Sequence, residues 1–179
     1  MTTTIEQTTL AGGCFWCIES AFNNVKGIES AVSGYMGGET SDPTYEKICS
    51  GTTGHAEVVQ LSYDIRVISY REILEIFFAL HNPTQLNRQG NDIGTQYRSG
   101  LFFHTKEQQQ AALSIIDEIN QDKIWPDPVV TEVTEKSEFY VGEDMHQGYF
   151  NRNPENPYCQ AVVAPKLAKF KKTFVELLK

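Results

Sequence analysis

Apolar residues along this chain recur first at a period of two, then near 3.6, then twice more at two, then again near 3.6 and again at two, and few folds accept that order. Ile5 to Leu10 reads as a strand. Phe15, Ile18, Phe22 and Val25 recur at helical spacing and Gly27 stands where a helix would stop, so a helix is predicted to open at or just before Cys14. A strand from Ile28 to Val32 follows. In HAEVVQLSY the side chains of Glu57, Val59, Leu61 and Tyr63 fall on one strand face, which places a carboxylate on a largely apolar surface. Ser69 and Glu72 make a capping box, and Ile73, Ile76, Phe77 and Leu80 form the stripe of the helix it opens, which His81-Asn82-Pro83 closes. Leu101 to His104 is a further strand. Strand, helix, strand, strand, helix, strand is the split βαβ pattern of a ferredoxin-like, two-layer α+β sandwich. It is extended by a helix capped by Thr105 and Gln108 with Leu113, Ile116 and Ile119 inward, a strand near Val129 to Val133, and a C-terminal helix opened by Pro165.

At 179 residues the chain suits one catalytic domain over 1–179, with a core over about 4–135 and a C-terminal segment over about 136–179. Two stretches carry no apolar period, the glycine-rich Gly34 to Gly54 and the run from Asn82 to Gly100, and long loops of this kind are usually functional. A net charge of -8 argues against nucleic acid or an anionic membrane face as partner. The basic cluster Lys166, Lys169, Lys171 and Lys172 reads as the solvated face of the last helix. The N-terminal MTTTIEQTTL has neither a basic start nor a long apolar run, so no leader is expected and the cytoplasm is the expected location. In a reducing compartment Cys14, Cys17, Cys49 and Cys159 are poor candidates for a static disulfide framework.

Two of them flank the chain's bulkiest aromatic pair, in Gly12-Gly13-Cys14-Phe15-Trp16-Cys17. An unperturbed cysteine is only about 3% thiolate at pH 7, and the free N–H groups at a helix start lower its pKa. Cys14, at that start, is therefore the expected nucleophile, with the glycines turning the backbone to present its sulfur. Cys17 lies one turn inside. A zinc site would need a second paired motif, which Cys49, Cys159 and scattered histidines do not supply, so no metal is expected. Adjacent helix positions differ by about 100°, so if Phe15 leads the core stripe then Trp16 stands off it, beside the sulfur. Cys49 reads as buried filler, and His55 is given no catalytic role.

GGCFWCIE, followed by GYMGG, DPTYEKICSG, TGHAEVV, QGNDIGTQYRSG and HQGYF with NPYC, resembles the type A peptide methionine sulfoxide reductases, in family order from about Gly12 to Pro165. The resemblance implies a ferredoxin-like α+β fold and Cys14 as catalytic nucleophile. It implies Phe15 and Trp16 as the hydrophobic pocket for the substrate methyl group, and Tyr45, Glu57, Asp92 and Tyr97 as the groups that bind and polarise the sulfoxide. Glu57 would give the proton that the sulfoxide oxygen needs, provided burial raises its pKa. Methionine leaves, Cys14 becomes a sulfenic acid, and a second thiol condenses it to a disulfide. Cys159, in a Pro- and Asn-rich C-terminal segment suited to travel, matches the family's resolving position and is favoured. Where most members have glycine this chain has Cys17, a nearer alternative, and a relay through both stays open. The implied substrates are oxidised proteins or peptides, with free methionine sulfoxide open; the family handles the S epimer. The implied reductant is external thioredoxin with no bound cofactor, and the implied state is a monomer. The rival readings are a thioredoxin-like dithiol carrier using Cys14 and Cys17, and a non-catalytic module that binds oxidised methionine.

Overall fold

The structure, a computed structural model, describes residues 4–179. Residues 1–3, which open the stretch read above as leaderless, lie outside the described residues. Strand β1 (Ile5–Ala11) leads through Gly12-Gly13 and Cys14 into helix α1 (Phe15–Asn23). Strand β2 (Ile28–Met36), helix α2 (Tyr45–Cys49), strand β3 (Ala56–Asp64) and helix α3 (Tyr70–Leu80) follow. A small hairpin of β4 (Arg88–Gln89) and β5 (Asp92–Ile93) precedes β6 (Gly100–Phe103), α4 (Lys106–Gln121), β7 (Glu132–Glu135) and β8 (Tyr140–Val141). Short α5 (Tyr149–Arg152) and α6 (Ala164–Thr173) complete the chain. The fold is mixed α/β around a central six-stranded sheet of order β7-β6-β1-β3-β2-β8. Its pairings are antiparallel except for β6 with β7, among the described residues.

The period-two segment holds β3 at the centre of this sheet. Val59, Leu61 and Tyr63 join the main core with Glu57 on their face, while Ala56 and Val58 pack with Ala11, Met36 and Phe102 on the other, under Phe139. Helix α1 packs on β2 and β3, α4 on β6 and β7, and α3 touches both helices. Phe15, Ile18 and Phe22 are essentially fully buried, at about 1.5–3 kcal/mol for each such side chain. The caps are as expected. Ser69 Oγ accepts from Glu72 N at 3.1 Å while Ser69 N donates to Glu72 Oε1 at 3.1 Å, and Thr105 Oγ1 accepts from Gln108 N at 3.2 Å.

Three expectations need correction. Strand β2 runs on to Met36, because Gly34 is a ladder residue paired with Val58; a Cβ there would lie 2.4 Å from the Tyr140 carbonyl oxygen, so the glycine serves a close strand approach and not a turn. Leu113 is 48% exposed, and the buried stripe of α4 is Gln108, Ala112, Ile115 and Ile119. A glutamine can lead that stripe because its Nε2 donates to Gln7 O at 2.8 Å and Tyr63 Oη at 3.1 Å. The strand placed near Val129 starts at Glu132, since Val129 and Val130 spend their N–H groups on Asn120 Oδ1 and Pro83 O outside the ladder. Among the described residues no helix is long and apolar enough to cross a membrane.

Candidate active site

The turn from β1 into α1 needs its glycines for different reasons. Gly13 has φ +86°, and a Cβ there would meet Gln89 Cγ at 2.8 Å. Gln89 is itself fixed, since its amide group bonds both the N–H and the C=O of Asn82 at 2.9 Å. At Gly12 a Cβ would press on the rings of His81 and Phe77 at 3.2 Å. Cys14 then caps α1 in an extended conformation, as the sequence predicts.

Glu57 lies beside it. The Phe15 N–H donates to Glu57 Oε1 at 3.2 Å, and Oε2 is buried without a hydrogen-bond partner among the described residues. Burial pushes the carboxyl up to about 8, against the pull of that N–H, so it is protonated at neutral pH. For Cys14 the expected depression does not hold. Burial drives the thiol well above its ordinary value, a hydrogen bond shared with Cys17 and the charge of Glu57 add to this, and the Trp16 N–H at the helix start opposes it more weakly. Desolvation outweighs the helix terminus here.

A cavity of about 230 Å³ opens at Cys14, lined by Trp16, Tyr45, Asp92, Tyr97, Asn156 and Tyr158. The structure thus brings together Cys14, Trp16, Tyr45, Asp92 and Tyr97, drawn from three separate stretches of the chain. Burial, then the field of Glu57, raises the hydroxyls of Tyr45 and Tyr97, so both remain donors. Glu57 is not itself part of the lining, but once it ionises, above about pH 8, its charge opposes ionisation of Cys14, Tyr45 and Tyr97 alike. Phe15 departs from its expected place. It is fully buried behind the cavity, 5.8 Å from the Tyr35 ring and 5.3 Å from His146. Trp16 alone of the pair forms wall, stacked on Tyr149 with centroids 3.9 Å apart and planes 7° apart.

The thiols also depart from expectation. Cys14, Cys17 and Cys159 form one buried cluster with Val163, and all are free. Cys159 sits on a helical turn, Cys159–Val163, that runs into α6, so it is not on a loop that must travel. The side-chain hydrogen bond from Cys14 lowers Cys17, and burial raises Cys159. Cys49, expected to be filler, is exposed at the end of α2, where Gln96 Nε2 lies 3.8 Å from its sulfur.

Sequence reasoning assigned no role to Tyr158, Asn156, Tyr149, His146 or Glu143, although all but Glu143 lie within or beside the quoted HQGYF and NPYC strings. Tyr158 donates its hydroxyl to Asp92 Oδ2. Glu143 accepts from the Tyr35 hydroxyl at 3.0 Å and from the Tyr45 N–H at 3.1 Å. A larger cavity of about 660 Å³ between α3, α4 and α6 contains no cysteine, so its size does not make it the reaction site.

A cysteine at a helix start, a neutral buried acid behind it, tyrosine donors around it and a second thiol in contact define a thiol-based reductase for a small, polar, proton-accepting group. The sequence model described as "Peptide methionine sulfoxide reductase" matches residues 6–178. The chain is 51% identical over 175 residues to peptide methionine sulfoxide reductase MsrA of Polynucleobacter asymbioticus, covering 98% of this chain and 92% of that one. The crystal structure of reduced Mxr1 from Saccharomyces cerevisiae superposes with a TM-score of 0.80 at 35% identity, covering 87% of this chain and 90% of that chain. Mxr1 in complex with Trx2 matches with a TM-score of 0.56 at 27% identity, over 82% of this chain and 85% of that one. This chain belongs to the peptide methionine sulfoxide reductase family, in its type A branch.

Proposed function

We propose that this protein reduces the S epimer of methionine sulfoxide in peptides and proteins, with Cys14 as nucleophile and Glu57 as acid. The observation that carries the reading is a fully buried carboxyl, raised to about 8, whose partner N–H is one residue from the cysteine that opens the cavity. The substrate's methyl group packs on Trp16, with Phe15 behind. Its S–O group takes hydrogen bonds from Tyr45 and Tyr97, while Asp92, held by Tyr158, borders the same space. Cys14 sulfur attacks the sulfoxide sulfur as Glu57 protonates its oxygen, and the thiol proton replaces the one Glu57 gives up; the adduct then collapses, the hydroxyl passing to the Cys14 sulfur as the bonds from the methionine sulfur to that oxygen and to Cys14 break. Methionine leaves and oxygen stays on Cys14 as a sulfenic acid. Condensation with a neighbouring thiol releases water and forms a disulfide.

The hydrogen bond between Cys14 and Cys17 supports Cys17 as the first partner, with Cys159, in the same cluster, taking the disulfide onward. Thioredoxin is the reductant this reading assigns, supported by the solved complex of Mxr1 with Trx2. The order β6-β1-β3-β2 within the sheet, antiparallel throughout, supports a ferredoxin-like core with β7 and β8 as additions. We read the chain as one catalytic domain, a monomer, at work in the cytoplasm.

A coupled assay with thioredoxin, thioredoxin reductase and each sulfoxide epimer tests this. Reductant consumption with the S epimer alone is the expected result. Oxidation and reduction of the dithiol without sulfoxide turnover would show a carrier instead, and sulfoxide binding without consumption a recognition module.

A further inference from the structure

His146 ends the short helical turn Asp144–His146 and is 1% exposed. Its Nδ1 accepts a hydrogen bond from Trp16 Nε1–H at 3.2 Å. Since indole only donates, the ring proton must reside on Nε2, the nitrogen that faces Glu143. Nε2 has no hydrogen-bond partner among the described residues, with Glu143 Oε2 3.9 Å away. The same ring lies 4.4 Å from Tyr45, 5.3 Å from Phe15 and 5.8 Å from Trp16, centroid to centroid. One imidazole therefore touches the apolar wall and a sulfoxide donor at once.

We infer that His146 is a positioning residue for sulfoxide binding: its Nδ1 locks the Trp16 indole edge in place while its ring backs Tyr45, so one buried side chain sets both ends of the cavity. The inference rests on Trp16 being the methyl-binding wall proposed above. Tyr149 holds one face of the indole by stacking, but stacking leaves an aromatic ring free to slide and turn in its plane. A directional bond at the indole edge removes that freedom. Glu143 fixes the other side of the assembly, holding the Tyr45 backbone and the Tyr35 hydroxyl next to the imidazole. Pre-ordering of this kind lowers the cost of binding and leaves the proton and sulfur chemistry at Glu57 and Cys14 alone.

Kinetics and the two indole N–H resonances of the ¹⁵N-labelled chain, Trp16 and Trp125, test this together. His146→Leu should raise KM for the sulfoxide about tenfold with kcat within about threefold, the size expected for loss of one neutral hydrogen bond. Solvent exchange of the Trp16 Nε1–H should accelerate about tenfold or more. His146→Gln, which offers an amide oxygen to the indole, should restore both readouts to within about threefold. In a Trp16→Phe background His146→Leu should add little further rise in KM. An unchanged KM, a fall in kcat at constant KM, or equal effects with and without the indole would overturn the inference. His146→Gln and the double variant keep the test decisive if His146→Leu does not fold. The exchange measurement needs no substrate, so a chain that reduced no sulfoxide would refute the activity without being mistaken for loss of the His146 contact.

Discussion

Glu57 shows what one side chain costs and gains. A carboxyl raised to about 8 from an ordinary 4.5 binds a proton in the folded chain that the unfolded chain releases between those pH values. Its contribution to stability is complete below about pH 4.5 and is lost as pH rises through about 8. Glu57→Gln is neutral throughout, so it should be more stable than wild type at pH 8 by on the order of a few kcal/mol and no different near pH 4, measured by denaturant unfolding. The same substitution removes the proton donor proposed for the reaction. Sulfoxide reduction should fall about 10²- to 10⁴-fold while the dithiol remains oxidisable, and unchanged turnover would remove Glu57 as the acid. In wild type, kcat should decline as pH passes about 8, following ionisation of the acid. His81 works in the opposite direction. Fully buried, with Nε2 2.7 Å from Ser99 Oγ, it is lowered to about 4, so its stabilising contribution is present above about 6.5 and disappears as pH falls through 4. The two contributions cancel between about pH 4.5 and 6.5, so thermal midpoints should stay level there and fall as pH rises from about 6.5 through 8.

Single elements were legible in the sequence where local chemistry decides them. The capping box of α3 is one case, and Ser69→Ala should cost about 1 kcal/mol, a drop of about 2–4 °C in the melting temperature. The start of α1 at Gly-Gly-Cys is another. Gly13→Ala forces a side chain into φ +86° and against Gln89, so it should lower stability by about 1–2 kcal/mol and depress activity further than stability alone explains, because the turn carries Cys14. Unfolding and kinetics on one preparation separate the two effects. What local chemistry could not reveal was who pays for a polar residue in the core. Gln108 displaces the apparent stripe of α4 because its amide is satisfied across the sheet by Gln7 and Tyr63, residues far away in the chain. The pKa of Cys14 was misjudged for a related reason. The helix start is a local signal, but the burial that outweighs it comes from the C-terminal segment, which no period in α1 announces.

At the scale of the whole molecule, the C-terminal segment completes the site. It supplies Tyr149 under Trp16, Tyr158 against Asp92, and Cys159 beside Cys14 and Cys17, and it does so by packing α5 and α6 on α1. The sequence placed Cys159 on a loop because Asn-Pro-Glu-Asn-Pro-Tyr has turn chemistry; it could not show that this turn ends in a helix already packed against Cys14. Three thiols in one cluster allow an ordered relay, and single substitutions read its order. In wild type, one equivalent of sulfoxide should leave two free thiols of the chain's four. In Cys159→Ser the Cys14 to Cys17 disulfide should still form in one turnover, with steady thioredoxin-driven turnover reduced about tenfold or more, since the bridge stays buried. In Cys17→Ser a Cys14 to Cys159 bridge should form more slowly, because burial holds the Cys159 thiol protonated and only its thiolate attacks. Peptide mapping of the oxidised variants identifies each bridge. A wild-type rate of disulfide formation in Cys17→Ser would make Cys159 the direct resolver and leave Cys17 a packing residue.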